Sequence, residues 1–588
     1  MSKTIKEVLE GFDKLEKKGF DAHDVLGALS SIDDELKTYS DYKYEVLAFR
    51  LVSAHGDCPW ETYYGPMLSY INEDGFSVYS PSFEEITIEA IDYWLTRIVE
   101  VNNPLLKMRY AGLVWEFEQK VAHRRHCDEL YLNYVESLLQ VCNGDYSSHP
   151  VITADVLERL FVVSKDNAAY LKKTKDAYKD FEVRHTTDDA VRLWASRFLI
   201  MLEHKKYFST EEKNAIVAEH EDRLKRLTLP DVYGRINPWN VQNQAELLAR
   251  YYHSVHSVTD VNRVLYIEEQ AFLHEKANMS AMQLMGNLEL VHREYRHYGL
   301  EKEATRLSVE IQKCGEKVIA EMQPYQVEFK IPHEVFDQAD QMFGYKAESD
   351  EMRWKNFCIY FIPRVSNEKN ALKQLVKKYP FQFMMATKMM DSNGRPMSVV
   401  GPYDLDPDGQ LILHITEKLN LDAHFLGIAI NRMLVTKALT ANKVMEYLIE
   451  PSLVFDEDRY EIINHAVQFF IDAKYELFNH LIVPQIETAI CNLVERSGAA
   501  VIKPQKNGKG FQLRLLDDLL REKAVSDAFT NDGAYYLRLV LTDQRALNIR
   551  NILCHGLLPP SYLASGAACR LLHVLAMLGT LRPYVAVC

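Results

Sequence analysis

The sequence predicts a mainly α fold, an irregular helical array followed by a C-terminal helical bundle. Three observations lead there. Apolar residues recur at helical spacing through most of the chain, as at Val191, Leu193, Trp194, Phe198, Leu199, Met201 and Leu202. Helix-start signals precede many of these runs. Hydrophobic residues make up 47% of the chain and charged residues 26%, the balance of a folded globular protein rather than a disordered one. The 588 residues are enough for several domains of about 100–200 residues each. We expect a helical array over 1–330 that docks or regulates, a mixed but mainly helical connecting region over 331–455, and the bundle over 456–588.

Over 1–330 the capping-box pattern, a hydroxyl residue followed three positions later by an acid, occurs at Ser82, Thr186 and Ser209. Pro104 follows Asn102 and Asn103, where a helix tolerates its missing N–H. Residues 288–322 read as two helices joined at Gly299, resembling a helical-repeat hairpin of the tetratricopeptide kind. No fixed period runs through the region, so the array is read as irregular. The pattern changes near Gln323. Residues 327–332 and 357–363 read as short strands, and 391–394 and 404–409 as turns. Further helices are expected over 460–481, 484–495, 513–523, 532–541, 549–557 and 562–581. The Gly- and Lys-rich loop 497–510 carries Lys503, Lys506 and Lys509, spaced to follow a phosphate backbone.

The net charge is −15, which argues against a non-specific nucleic-acid coat. Residues 456–588 carry 14 Lys and Arg against 14 Asp and Glu, so the whole excess of acid lies in the first 455. An acidic body with a neutral C-terminal part suits contact with RNA at that end. The N-terminus lacks the apolar core of a secretory signal. No stretch reaches the roughly 18 uncharged apolar residues of a membrane span, and 563–581 is interrupted by Arg570 and His573. Nine widely spaced cysteines without a C-x-x-C pair point to free thiols and a reducing cytoplasm.

The most informative stretch is 548–556, Asn-Ile-Arg-Asn-Ile-Leu-Cys-His-Gly. Asn548 suits a helix cap, and Pro559-Pro560 cannot continue a helix. A short helix between them puts Arg550 and Asn551 in its first turn, with His555 four residues after Asn551 on the same face. Free N–H groups at a helix start attract anions, and a guanidinium beside them is a forked phosphate donor. An imidazole one turn further on can move protons near neutral pH.

This R-N-x-x-x-H-G run resembles the signature of a domain-of-unknown-function family that includes the endoplasmic-reticulum membrane-associated RNA degradation protein. Its spacing is similar to the R-x-x-x-x-H signature of the HEPN superfamily of helical ribonucleases. The likeness extends to Pro484-Gln485-Ile486-Glu487, read as the head of an earlier helix, and to the region of Leu515, Asp518 and Leu520. It implies a HEPN-like C-terminal bundle and metal-independent RNA cleavage without a cofactor, in which the 2′-hydroxyl attacks the adjacent phosphorus. His555 would act as acid or base, Arg550 would stabilise the phosphoryl charge, and Asn551 would hold the ring or the phosphate. Glu487 would support them from the earlier helix. The basic residue expected four positions after Glu487 is Cys491 here, so Arg545 or Arg496 would have to replace it.

Arg550 and His555 lie about 140° apart around a regular helix. The resemblance therefore implies a homodimer with a composite active site, and a regulatory protein partner for so large a chain. It also implies roles of the toxin–antitoxin and anti-phage kind. The alternative is a non-catalytic helical scaffold whose C-terminal module only binds nucleotide or RNA, or only dimerises.

Other candidates are weaker. Asp404, Asp406 and Asp408 mimic the start of a calcium loop, but Ile415 stands where the bidentate Glu belongs, so an acidic turn is expected. The histidines at 123 and 126, and at 253 and 256, lack the second half of a metal-ligand set. No phosphate loop, dinucleotide fingerprint, zinc-protease motif or nucleophile elbow occurs.

Overall fold

Helix dominates the computed structural model, which describes residues 4–15, 19–53, 58–72, 75–144, 146, 149–323, 330–505, 508–557 and 565–582. Among these residues the strands form four separate two-stranded antiparallel hairpins. The fold is therefore mainly α, as the periodicity indicates. The chain divides into two compact units, one of Met1–Met279 with Asn287–Thr305, the other of Ser280–Gly286 with Arg306–Cys588. No described helix is long and apolar enough to cross a membrane.

In the first unit, local signals fix the helix starts. Ser209 and Glu212 form a reciprocal capping box on Thr210–Leu227. Asn103 caps Pro104–Val121, with the proline in the first turn. At Ser82 the capping box opens a short 3-10 turn, and Thr87 caps the helix that follows, Ile88–Glu100. Thr186 departs from expectation. It ends Ala168–His185, and the next helix begins at Val191. Thr187 instead donates to Asp189, while Asp188 is held by Arg223 and Arg226, so this Thr-Thr-Asp-Asp run is a linker pinned by ion pairs.

Two hairpins in this unit were not foreseen, Leu51–Ser53 with Tyr64–Pro66 and Leu68–Ile71 with Ser77–Ser80. The first packs closely because Gly112 has no side chain. A Cβ there would come within 2.9 Å of the Tyr64 ring. The helices Ala281–His297 and Glu301–Glu321 meet at Gly299, whose φ of 73° suits glycine.

The second unit is built around Ser565–Leu578, buried from Ala568 to Leu578. It packs on Asp350–Tyr360, Pro407–Val435 and Tyr475–Arg496. Two polar side chains lie inside this core. His573 Nδ1 is 2.8 Å from the Tyr536 hydroxyl, and Arg570 donates to the Leu419 carbonyl. Burial, with the Arg570 charge beside it, lowers the His573 pKa to about 3.

Several sequence expectations need correction in this unit. Residues 357–363 are not a strand. Ser349 caps Asp350–Tyr360, and Trp354, Phe357, Cys358 and Phe361 are buried at three- and four-residue spacing. The helix expected over 460–481 breaks at Ala473, with φ 57°, giving Tyr460–Ile471 and Tyr475–Arg496. Pro484 lies inside the second of these, not at the head of a helix. Residues 513–523 form the end of strand Phe511–Leu513 and a short helix, Leu516–Leu520. The loop 497–510 contains the partner strand Ile502–Pro504. The helix expected over 532–541 is present: Thr530, with a non-helical backbone and φ 63°, interrupts Lys523–Leu541, and its hydroxyl accepts from the Gly533 N–H at the head of the second part. Residues 324–329, Pro559 and Pro560, and 562–564 belong to calls that lie outside the described residues.

Candidate functional site

Residues 549–557 begin as the six-residue helix Ile549–Cys554. Its entry is not the expected side-chain cap. Asn548 adopts a left-handed conformation, φ 49°, and its side chain makes no bond to the helix N–H groups. The Asn548 Oδ1 instead accepts from Asn551 Nδ2 at 2.8 Å. Asparagine tolerates this conformation better than most residues, so Asn548 turns the chain rather than capping it.

Arg550 points back onto Tyr475–Arg496. Its Nε and Nη2 donate to the two oxygens of Glu487 at 2.9 and 3.0 Å, a bidentate fork across 63 positions of sequence. Its Nη1 donates to Asn551 Oδ1 at 3.0 Å. Burial opposes the Arg550 charge, but the paired carboxylate outweighs it and holds the guanidinium above its ordinary range. Three of the five guanidinium N–H donors are used in these bonds. Asn551 also donates to the Thr542 carbonyl at 3.2 Å, tying the short helix to the loop before it.

Thus Glu487, Arg550 and Asn551 come together, and Arg550 itself is the cation that pairs with Glu487. Glu487 sits near the middle of a 22-residue helix rather than in a first turn, so no helix end accounts for its position. Cys491, one turn on, is half-buried. Burial pushes its thiol up, helped by Glu487 and Glu495.

His555 stands apart from this network. It follows the last helical residue, is exposed, and has no side-chain hydrogen bond among the described residues. Gly556 turns the chain with φ 63°. Two residues after His555, the Leu557 carbonyl accepts from Ser392 Oγ at 2.8 Å. Ser392 lies in the turn between strands Thr387–Met390 and Pro396–Val400. Here Gly394 lies so close to Gly315 that a Cβ on Gly394 would be 2.2 Å from the Gly315 carbonyl oxygen. Nothing in the sequence signals this neighbour of His555.

The remaining candidates lie elsewhere. Arg545 donates from Nε and Nη2 to Asp543 at 3.1 and 3.0 Å, and its Nη1 is 3.6 Å from Asp408. Arg496 pairs with Asp456 at 2.7 Å. Neither supplies Glu487 with a second cation. Lys503 pairs with Asp518 at 2.8 Å, which holds that carboxyl below its usual range. Lys509 is exposed on the same hairpin, and Lys506 lies outside the described residues.

Asp406 caps Pro407–Val435 through the Gly409 N–H, so the 404–409 run is a helix start. His126 stacks on Trp115 and lies 3.1 Å from Glu118. No protein-family model matches the chain, and no curated protein matches it by sequence.

Proposed function

We propose that the chain is a metal-independent endoribonuclease of the HEPN kind, with its reacting groups at the end of the Ile549–Cys554 helix. The observation that carries this reading is an arginine held in a fixed orientation by a bidentate carboxylate, on the same short helix that ends at an exposed His555 whose side chain makes no hydrogen bond among the described residues. The Glu487 fork leaves part of the guanidinium edge for a phosphoryl oxygen, and Asn551 fixes the third nitrogen. In the reaction the RNA 2′-oxygen loses its proton and bonds to phosphorus. The P–O5′ bond breaks, and the 5′-oxygen takes a proton. The products are a 2′,3′-cyclic phosphate and a 5′-hydroxyl. His555 serves one of the two proton transfers, and a second copy of the chain, across a two-fold axis, supplies the other.

One observation favours a second reading. Arg550 already has a carboxylate partner, as in a fold-stabilising clamp, and a scaffold that only binds RNA needs no more than that. Incubating the full chain with RNA in excess chelator separates the two. His555→Ala should lower cleavage by at least about a hundredfold, the usual scale for a lost acid or base, with folding unchanged because the side chain is exposed. Chelator-resistant cleavage that survives the substitution would refute the assignment, and a wild-type chain that binds RNA without cutting it would favour the scaffold.

A further inference from the structure

The second unit carries one strongly cationic surface that the candidate site does not use. It is the outward face of Val365–Lys378. The inward face is anchored. Leu372 is buried, the Val365 N–H donates to Asp532, and the buried Glu368 is held by His414 and Lys418. With its one acid neutralised in this way, the only charges that the helix turns outward are cations. Lys369, Lys373 and Lys377 recur every four residues, within about 80° of one another around the axis and about 12 Å along it. Arg364 and Lys378 flank them, and all five are exposed. Among the described residues none of the five has a carboxylate partner, in a chain whose net charge is −15.

Exposed apolar groups follow this helix in the chain. Tyr379, with the Lys378 ammonium 5.0 Å from its ring centre, is followed by Phe381, 81% exposed, and by the exposed Met384 and Met385. Strand Thr387–Met390 then leads to Ser392, whose hydroxyl touches Leu557 beside His555. The seven Cα steps from Met385 to Ser392 span at most about 25 Å. A row of ammonium groups and two exposed aromatic side chains therefore lie on one stretch of chain, whose hairpin turn touches the segment that carries His555.

We propose that this helix face, with Tyr379 and Phe381, binds single-stranded RNA and leads it toward His555. The inference rests on the ribonuclease reading above and adds a site of its own. Ammonium groups neutralise the phosphates, and the rings offer stacking platforms for unpaired bases. The occupant is a nucleic acid rather than an anionic membrane because the neighbouring turn is acidic. The Tyr403 N–H donates to the Phe383 carbonyl, which places exposed Asp404 beside the apolar residues, and Asp408, further along the same turn, is also exposed although near Arg545. A flat anionic surface would have to meet those carboxylates, whereas a strand can follow the lysine side and avoid them.

The test uses the full chain and a fluorescent 12-residue oligouridylate, 2′-O-methylated so that it cannot be cleaved. Replacing Lys369, Lys373 and Lys377 by Gln should weaken binding at least tenfold near 100 mM salt. It should also reduce the slope of log affinity against log salt by about 2, three phosphate contacts at about 0.7 each. Tyr379→Ala with Phe381→Ala should cost about another tenfold through lost stacking. All the substituted groups are exposed, and an unchanged melting curve verifies that each variant is folded. Undiminished binding by the triple variant overturns the proposal. So does a wild-type chain that ignores the probe, or lysine-dependent binding to phosphatidylserine vesicles in place of RNA. Lysine-dependent binding without any cleavage of ordinary RNA would leave this surface standing and remove the ribonuclease reading. Cleavage with an unchanged KM in the triple variant would do the reverse.

Discussion

Arg550 and Glu487 are each less than one-third exposed, 23% and 29%, and joined by two parallel hydrogen bonds. A pair of this geometry contributes more than a typical surface ion pair, because neither side chain is free to exchange it for water. Arg550→Lys keeps the charge but loses the fork, and Glu487→Gln keeps one acceptor and loses the charge. Each should destabilise the second unit by about 1–2 kcal/mol. The double variant should cost clearly less than the sum, since both changes break the same contact. Urea denaturation of the four proteins measures that coupling, and full additivity would mean that the pair does not hold in solution. Sequence spacing puts Arg550 and Asn551 in one turn, and the resemblance adds Glu487, which the structure brings against Arg550 while His555 stands apart. The sequence did not show that Arg550 is the partner of Glu487, because a contact across 63 positions leaves no local pattern. The cation that matches Glu487 thus comes from another helix and not from one turn along its own. Asn548 was misjudged for a related reason: its type suits both a cap and a left-handed turn, and only the competing Asn551 amide decides between them.

Among the elements, those whose local signals agree with their burial were legible in advance, such as Thr210–Leu227 with its capping box and the pair of helices meeting at Gly299. Asp350–Tyr360 was misread because a short run of apolar residues looks alike in a strand and in a buried helix. Pro484 was misread because proline more often starts a helix than sits inside one. Here the helix tolerates it on an exposed position, with the neighbouring Gln485 and Ile486 buried. The hairpins escaped because each strand is only three to five residues long, too short for an alternating pattern to stand out. The Thr387–Val400 hairpin nevertheless matters, since its turn lies against Gly315 and touches Leu557. Gly394→Ala combines a positive φ of 73° with a clash against backbone that cannot rotate away. It should destabilise the protein by at least about 1–3 kcal/mol, and amide hydrogen exchange should quicken at 549–557 once the turn is displaced. A melting temperature unchanged by the substitution would show that the two glycines are not in contact.

For the molecule as a whole, charge and pH act through buried groups as well as through the surface. Burial raises the Glu182 carboxyl from 4.5 to about 7, against the pull of Arg197. The folded state therefore holds a proton that the unfolded state has already released between pH 4.5 and about 7. Glu182 then contributes stability that is fully present below pH 4.5 and lost as pH rises through about 7, on the order of 3 kcal/mol in all. Glu182→Gln should flatten that part of the pH dependence of melting, with Arg197 still paired to Glu219. A slope between pH 5 and pH 8 equal to that of the wild type would show that Glu182 is ionised throughout. The chain also passes from one unit to the other more than once, since Ser280–Gly286 groups with the second unit and Asn287–Thr305 with the first. No single truncation point can release either half with all of its own residues. A fragment ending at 279 forfeits nineteen residues that belong to it, and one starting at 306 forfeits seven. Dissection by scissors is thus a poor route to isolated pieces, and a transplant that carries the shuttling segment along is the sounder engineering.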